Sequence, residues 1–83
     1  MLDKAEQGRL RWQCRRGIKE VEVILLPYLE KHFYQSGERE RGLFERLLES
    51  QDADLFEWFT DRALPSDPEL AEIVGLVLGK LAP

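Results

Sequence analysis

Between Ile18 and Tyr34 the chain reads IKEVEVILLPYLEKHFY, and this stretch decides most of what the sequence can fold into. Ile18, Val21, Leu25, Tyr28, Leu29, His32 and Phe33 follow the i, i+3, i+4, i+7 spacing of one helix face, and Ile24 and Leu26 widen it. So broad an apolar face predicts a central helix over 18–34, packed by others. The β-branched residues from Val21 to Ile24 favour a strand taken alone, but helical spacing continues on both sides of them. Pro27 removes one backbone hydrogen bond, so a kink is expected there, or a break in the least favourable case.

The flanking segments supply the packing. Residues 4–15 read as a short helix with a narrow stripe of Leu10 and Cys14, four apart, ringed by Arg9, Arg11, Arg15 and Arg16. Gln35-Ser36-Gly37 is a turn with Ser36 a candidate N-cap, and 38–49 follows as a helix whose seam is Leu43, Phe44, Leu47 and Leu48. Asp52 is the expected cap of a helix over 53–63, with Leu55, Phe56, Phe59 and Ala63 inward. A last helix over 68–81 presents Leu70, Ile73, Val74, Val77, Leu78 and Leu81 on one face. Its start has two possible caps: Asp67 with Pro68 at the first helical position, or a capping box of Ser66 with Glu69. No strand alternation or internal repeat interrupts this pattern. The fold class is therefore all-α, a small five-helix bundle in a single domain over 1–83.

Charge narrows the function. The first 20 residues hold six Lys/Arg against three acids, and the remainder holds six against thirteen. An acidic body with a basic head is a poor nucleic-acid binder, because duplex affinity comes mainly from neutralising phosphates. It suits docking on a protein of mixed charge. One cysteine excludes an internal disulfide and is expected in a reducing cytosol. The start MLDKAE lacks the apolar core of a leader, and the run from Val23 to Leu29 is too short to span a bilayer. A cytoplasmic protein without a membrane span is expected.

Catalytic and metal chemistry find little support. A single His and a single Cys, with no acid spaced to join them, make no metal cluster. His32 reads as a core or boundary residue. The neighbouring arginines tend to lower the Cys14 pKa, but no positioned base accompanies it, so a small packed residue is the better reading. Phosphate loops and nucleophile triads are missing, and no flavin-binding motif is visible. Neither an enzyme nor a stably bound cofactor is expected.

The junction Cys14-Arg15-Arg16-Gly17-Ile18-Lys19-Glu20 reads in two ways. In the first, Gly17 is the C′ residue that ends the first helix, Glu20 favours the dipole of the next, and Arg16 pairs with Glu20 at i, i+4. In the second, Arg9, Arg11, Trp12, Arg15, Arg16, Gly17 and Glu20 form a partner-binding surface. Arg and Trp are enriched at interface hot spots, and glycine lets another backbone come close.

Here the residues resemble a known family. Arg16-Gly17-Ile18-Lys19-Glu20 is similar to the RGxxE signature of the FAD assembly factors of succinate dehydrogenase, the SdhE-type proteins. The likeness extends through Arg9-Leu10-Arg11-Trp12-Gln13-Cys14-Arg15, Leu26-Pro27-Tyr28 with Glu30, Phe44 to Glu49, Asp52 to Trp58, and Pro65 to Leu70. RGxxE alone is a weak signal; the ordered set is specific. Three departures stand out: Glu22 where members often carry Asp, Ala53 where proline is frequent, and an end at Pro83 without a charged tail.

The resemblance implies a five-helix bundle and a function that periodicity does not give. Members bind the flavoprotein subunit of succinate dehydrogenase, and of fumarate reductase in bacteria, and promote covalent attachment of FAD to one of its histidines. By that analogy Gly17 and Glu20 are the critical positions, with Arg16 beside them, and the missing transit peptide suggests a bacterial member. Two competing readings remain: an antitoxin-like module acting on a membrane-associated toxin, and a plain adaptor using an apolar helix face.

Overall fold

The computed structural model describes residues 3–81. Met1, Leu2, Ala82 and Pro83, the outermost residues of the domain expected over 1–83, lie outside the described residues, as do the chain start and short C-terminus read above. Five α-helices follow in order: α1 (Lys4–Gln13), α2 (Lys19–Lys31), α3 (Glu38–Leu47), α4 (Asp52–Phe59) and α5 (Pro68–Leu81), with a 3₁₀ turn at Phe33–Gln35. Among the described residues there is no strand.

The central place of α2 follows from its apolar face. Val21, Leu25, Tyr28 and Leu29 are buried, and the helix packs on α1, α4 and α5. It runs unbroken through Pro27. On its far side α5 buries Ile73, Val74 and Val77 between α2, α3 and α4. Leu43, Phe44 and Leu47 of α3 and Leu55 and Phe59 of α4 close the core. Its aromatic centre sets Phe44 4.9 Å from Tyr28 and 5.4 Å from Phe33, both tilted, within the range of favourable ring contacts. Only Leu10 of α1 and its capping residue Cys14 reach this core, so α1 is the most thinly attached helix.

Several ends differ from the sequence reading, each for a local reason. Asp3 caps α1 by accepting from the Glu6 N–H at 2.8 Å, a cap that the Asp-x-x-Glu spacing encodes. That helix stops at Gln13 rather than 15, because Arg15 N–H turns back to Trp12 in a tighter i→i−3 bond. Helix α2 starts at 19, with Ile18 as its cap residue, and gives way to the 3₁₀ turn before Tyr34. Ser36 does not cap α3: its hydroxyl donates to the His32 carbonyl at 2.8 Å, and Gly37 takes the cap position. Helix α3 closes at Leu47, before the expected 49.

Asp52 is not the residue before α4 but its first, behind Gln51. That helix ends at Phe59 in a Schellman arrangement: Arg62 N–H reaches Glu57 O at 2.9 Å, Asp61 N–H reaches Trp58 O at 3.3 Å, and Asp61 takes φ 61°. A left-handed residue here was not legible because aspartate, not glycine, supplies it. Ala63, expected inward, is therefore exposed. Helix α5 keeps its predicted bounds, and Asp67, not Ser66, caps it, accepting from the Glu69 N–H at 2.8 Å.

Candidate functional site

After α1 the chain has four residues, Cys14 to Arg16 and Gly17, before Ile18 caps α2, and few local bonds hold them. Arg16 supplies the rest. Its guanidinium donates to Gln13 O at 2.8 Å, to Leu48 O at 2.5 Å, to Ser50 O at 3.0 Å and to Asp52 Oδ1 at 3.2 Å. Gln13 is the last residue of α1 and Leu48 the cap of α3, so one cation answers unsatisfied carbonyls at two helix C-termini, where the dipole favours positive charge. Its main-chain N–H donates to Glu22 Oε1 in the first turn of α2 at 3.0 Å. Ends of four helices thus meet at one arginine.

The expected Arg16–Glu20 pair does not form, since Arg16 is committed to these acceptors. Its side chain is 13% exposed. Asp52 uses both carboxylate oxygens here: Oδ2 accepts from the Gly17 N–H at 3.0 Å while Oδ1 takes Arg16.

Gly17 is not the C′ residue of α1; Cys14 caps that helix, and no described glycine has positive φ. A Cβ added at Gly17 would meet only Asp52 Oδ2, at an ordinary 3.4 Å. The fold therefore has no need for glycine at this position. It is exposed, as are Arg15, Lys19 and Glu20. Arg15 and Glu20 make no side-chain hydrogen bond or ion pair among the described residues.

Trp12 stands 73% exposed, more than an indole normally shows water. With Gln13, Arg15, Arg16, Gly17, Leu48 and Asp52 it lines an open depression of about 360 Å³. The structure thus gathers Trp12, Arg15, Arg16 and Gly17 of the predicted group around one hollow. Glu20 lies outside that lining, one turn into α2. Arg9 and Arg11 are set apart in exposed pairs with Glu45 at 3.5 Å and Glu30 at 2.8 Å. Sequence reasoning missed Leu48 and Asp52 in this surface, because nothing local joins them to residues 32 to 36 positions away.

The hollow's lining holds a carboxylate, Asp52, but no Cys, His, Ser or Thr. Cys14 is buried, and burial pushes its thiol up to about 12 against the lowering pull of Arg16 and Arg11. The packed reading of this residue holds and the lowered pKa does not. His32 sits half-buried with its ring 5.7 Å from that of Tyr28, as a boundary histidine. Among the described residues no three His, Cys, Asp or Glu side chains gather as a metal site, and no helix is long and apolar enough to cross a membrane.

Comparison with known proteins bears on this surface. The family described as "Flavinator of succinate dehydrogenase" matches residues 8–80. A Pseudomonas putida protein described as FAD assembly factor SdhE is 37% identical over 83 residues, covering 100% of this chain and 99% of the relative. One from Shewanella oneidensis with the same description is 41% identical over 76 residues, covering 92% and 93%. A third, from Colwellia psychrerythraea, is 36% identical over 80 residues, covering 96% and 88%.

Proposed function

The chain belongs to the family of succinate dehydrogenase flavinators, and we propose that it binds the flavoprotein subunit of succinate dehydrogenase and promotes covalent attachment of FAD to that subunit. The flavoprotein subunit of fumarate reductase is a second client on the same reading. The observation that carries the reading is Trp12, 73% exposed at a hollow that it lines with Arg15, Arg16 and Gly17, where the missing side chain of Gly17 lets a partner backbone come close.

Beside Gly17, Trp12 offers a large apolar contact, Arg15 an unpaired guanidinium and Glu20 an unpaired carboxylate. Aromatic and arginine side chains of this kind carry most of the energy of protein interfaces. A charge-assisted bond from Glu20 to the partner contributes further. In this reading FAD is held by the partner, and no group of the factor forms or breaks a bond. The factor binds better to a flavoprotein conformation in which flavin and acceptor histidine face each other, and raises its population. Correct placement of the reactants then supplies the rate.

Covalent flavin fluorescence of the subunit on a denaturing gel tests this, in cells lacking their own factor and supplied with this chain. Wild type restores the band. Gly17→Ala and Gly17→Arg both keep a helical circular dichroism spectrum, and Gly17→Arg loses the band. Glu20→Ala requires about tenfold more factor for the same signal, the scale of one hydrogen bond to a charged group. A band equally strong without the chain, or with Gly17→Arg, overturns the proposal.

A further inference from the structure

We infer that Asp52, which lines the same hollow from the start of α4, is a positioning residue that holds the Arg16–Gly17 backbone in the geometry a partner meets. This rests on the flavinator reading of the junction and names the residue that prepares it. A glycine at a docking point is a liability as well as a convenience, because it has the widest backbone freedom of any residue. Freedom that is lost on binding weakens binding. Something must therefore hold Gly17 in place, and its only N–H is held by Asp52 Oδ2 at 3.0 Å.

The other oxygen of the same carboxylate fixes the preceding residue through Arg16 Nη1 at 3.2 Å. One side chain thus restrains two consecutive residues, one by its backbone and one by its side chain. Asp52 has no local duty that accounts for this geometry: α4 is capped at Gln51 without a side-chain hydrogen bond, and an acid in its first turn needs only to face the helix dipole. Arg16 is clasped at the same time by the carbonyls of Leu48 and Ser50, so the α3–α4 turn sets where the junction sits. With its guanidinium directed inward and only 13% exposed, Arg16 belongs with this support more than with the contacting groups.

The test uses the full chain as wild type, Asp52→Ala and Asp52→Asn. Three quantities are measured: Gly17 amide hydrogen exchange by NMR, affinity for the purified flavoprotein subunit, and covalent flavin formed against factor concentration. Asp52→Ala is expected to speed Gly17 exchange, weaken affinity about tenfold and raise the half-saturating concentration to match. The flavin plateau at saturating factor stays at the wild-type level. Asp52→Asn, which keeps an acceptor for Gly17 but loses the charge on Arg16, falls between the two. If Asp52→Ala does not fold, Asp52→Asn carries the test on the same three readouts. A folded variant with faster Gly17 exchange but wild-type affinity overturns positioning, and so does a loss of plateau that tracks a loss of helicity. Failure of the flavinator reading looks different: wild type itself then neither binds the subunit nor changes its flavin content.

Discussion

Burial overrides neighbouring charge at Cys14, and the consequence is measurable. Two arginines would favour the thiolate, yet desolvation dominates and moves the folded pKa from 9.0 to about 12. A raised thiol pKa means that the native state stays protonated where the unfolded state has ionised. Its contribution is intact below pH 9.0 and is lost as pH climbs through the window to about 12. Urea melts at rising pH should thus show a stability decline on the alkaline side that Cys14→Ser lacks, and native Cys14 should resist thiol reagents that label the unfolded chain. Tyr28 offers a second test at this scale. Its ring is fully buried in the aromatic cluster, but its hydroxyl finds no hydrogen-bond partner among the described residues. Tyr28→Phe should leave stability unchanged or raise it by up to about 1 kcal/mol in denaturant melts, since an unsatisfied buried hydroxyl is removed with little loss of packing.

Helix α5 shows what can be read locally in an element. Asp67 followed by Pro68 carries its start within two residues, and Asp67 accepts from both Glu69 and Leu70 N–H. Arg46 holds its carboxyl below the usual aspartate range, aided by those backbone bonds. Asp67→Ala should therefore lower the melting temperature, whereas Ser66→Ala should not, because the Ser66–Glu69 box is not the cap in use. The five helices and their buried faces were legible for the same reason, as periodicity is a property of adjacent residues. Ends fixed by distant groups were not. Gly17 looked like a helix stop and Asp52 like a cap, but each is engaged with the other across 35 positions. The exposure of Trp12, Arg15 and Glu20 came through because it needs no tertiary bond. The inward turn of Arg16 did not, because its acceptors are main-chain carbonyls that any sequence carries.

At the scale of the molecule, labour divides along the bundle. Helix α5 and the faces of α2, α3 and α4 against it form the core, while ends of α1, α2, α3 and α4 converge on Arg16. The basic head is partly neutralised by Glu30 and Glu45, which leaves Arg15 as an uncommitted cation beside Trp12. On the proposed function, a partner meets a preformed surface at this end, so binding orders little of the chain. Amide hydrogen exchange of this protein, free and in complex with the flavoprotein subunit of succinate dehydrogenase, tests that claim most directly. Slowed exchange is predicted over residues 12–20 and the α3–α4 turn at 50–52, with the exposed side of α5 unchanged. Protection confined to α3 and α5, with the amides from Trp12 to Glu20 exchanging as in the free chain, would contradict it.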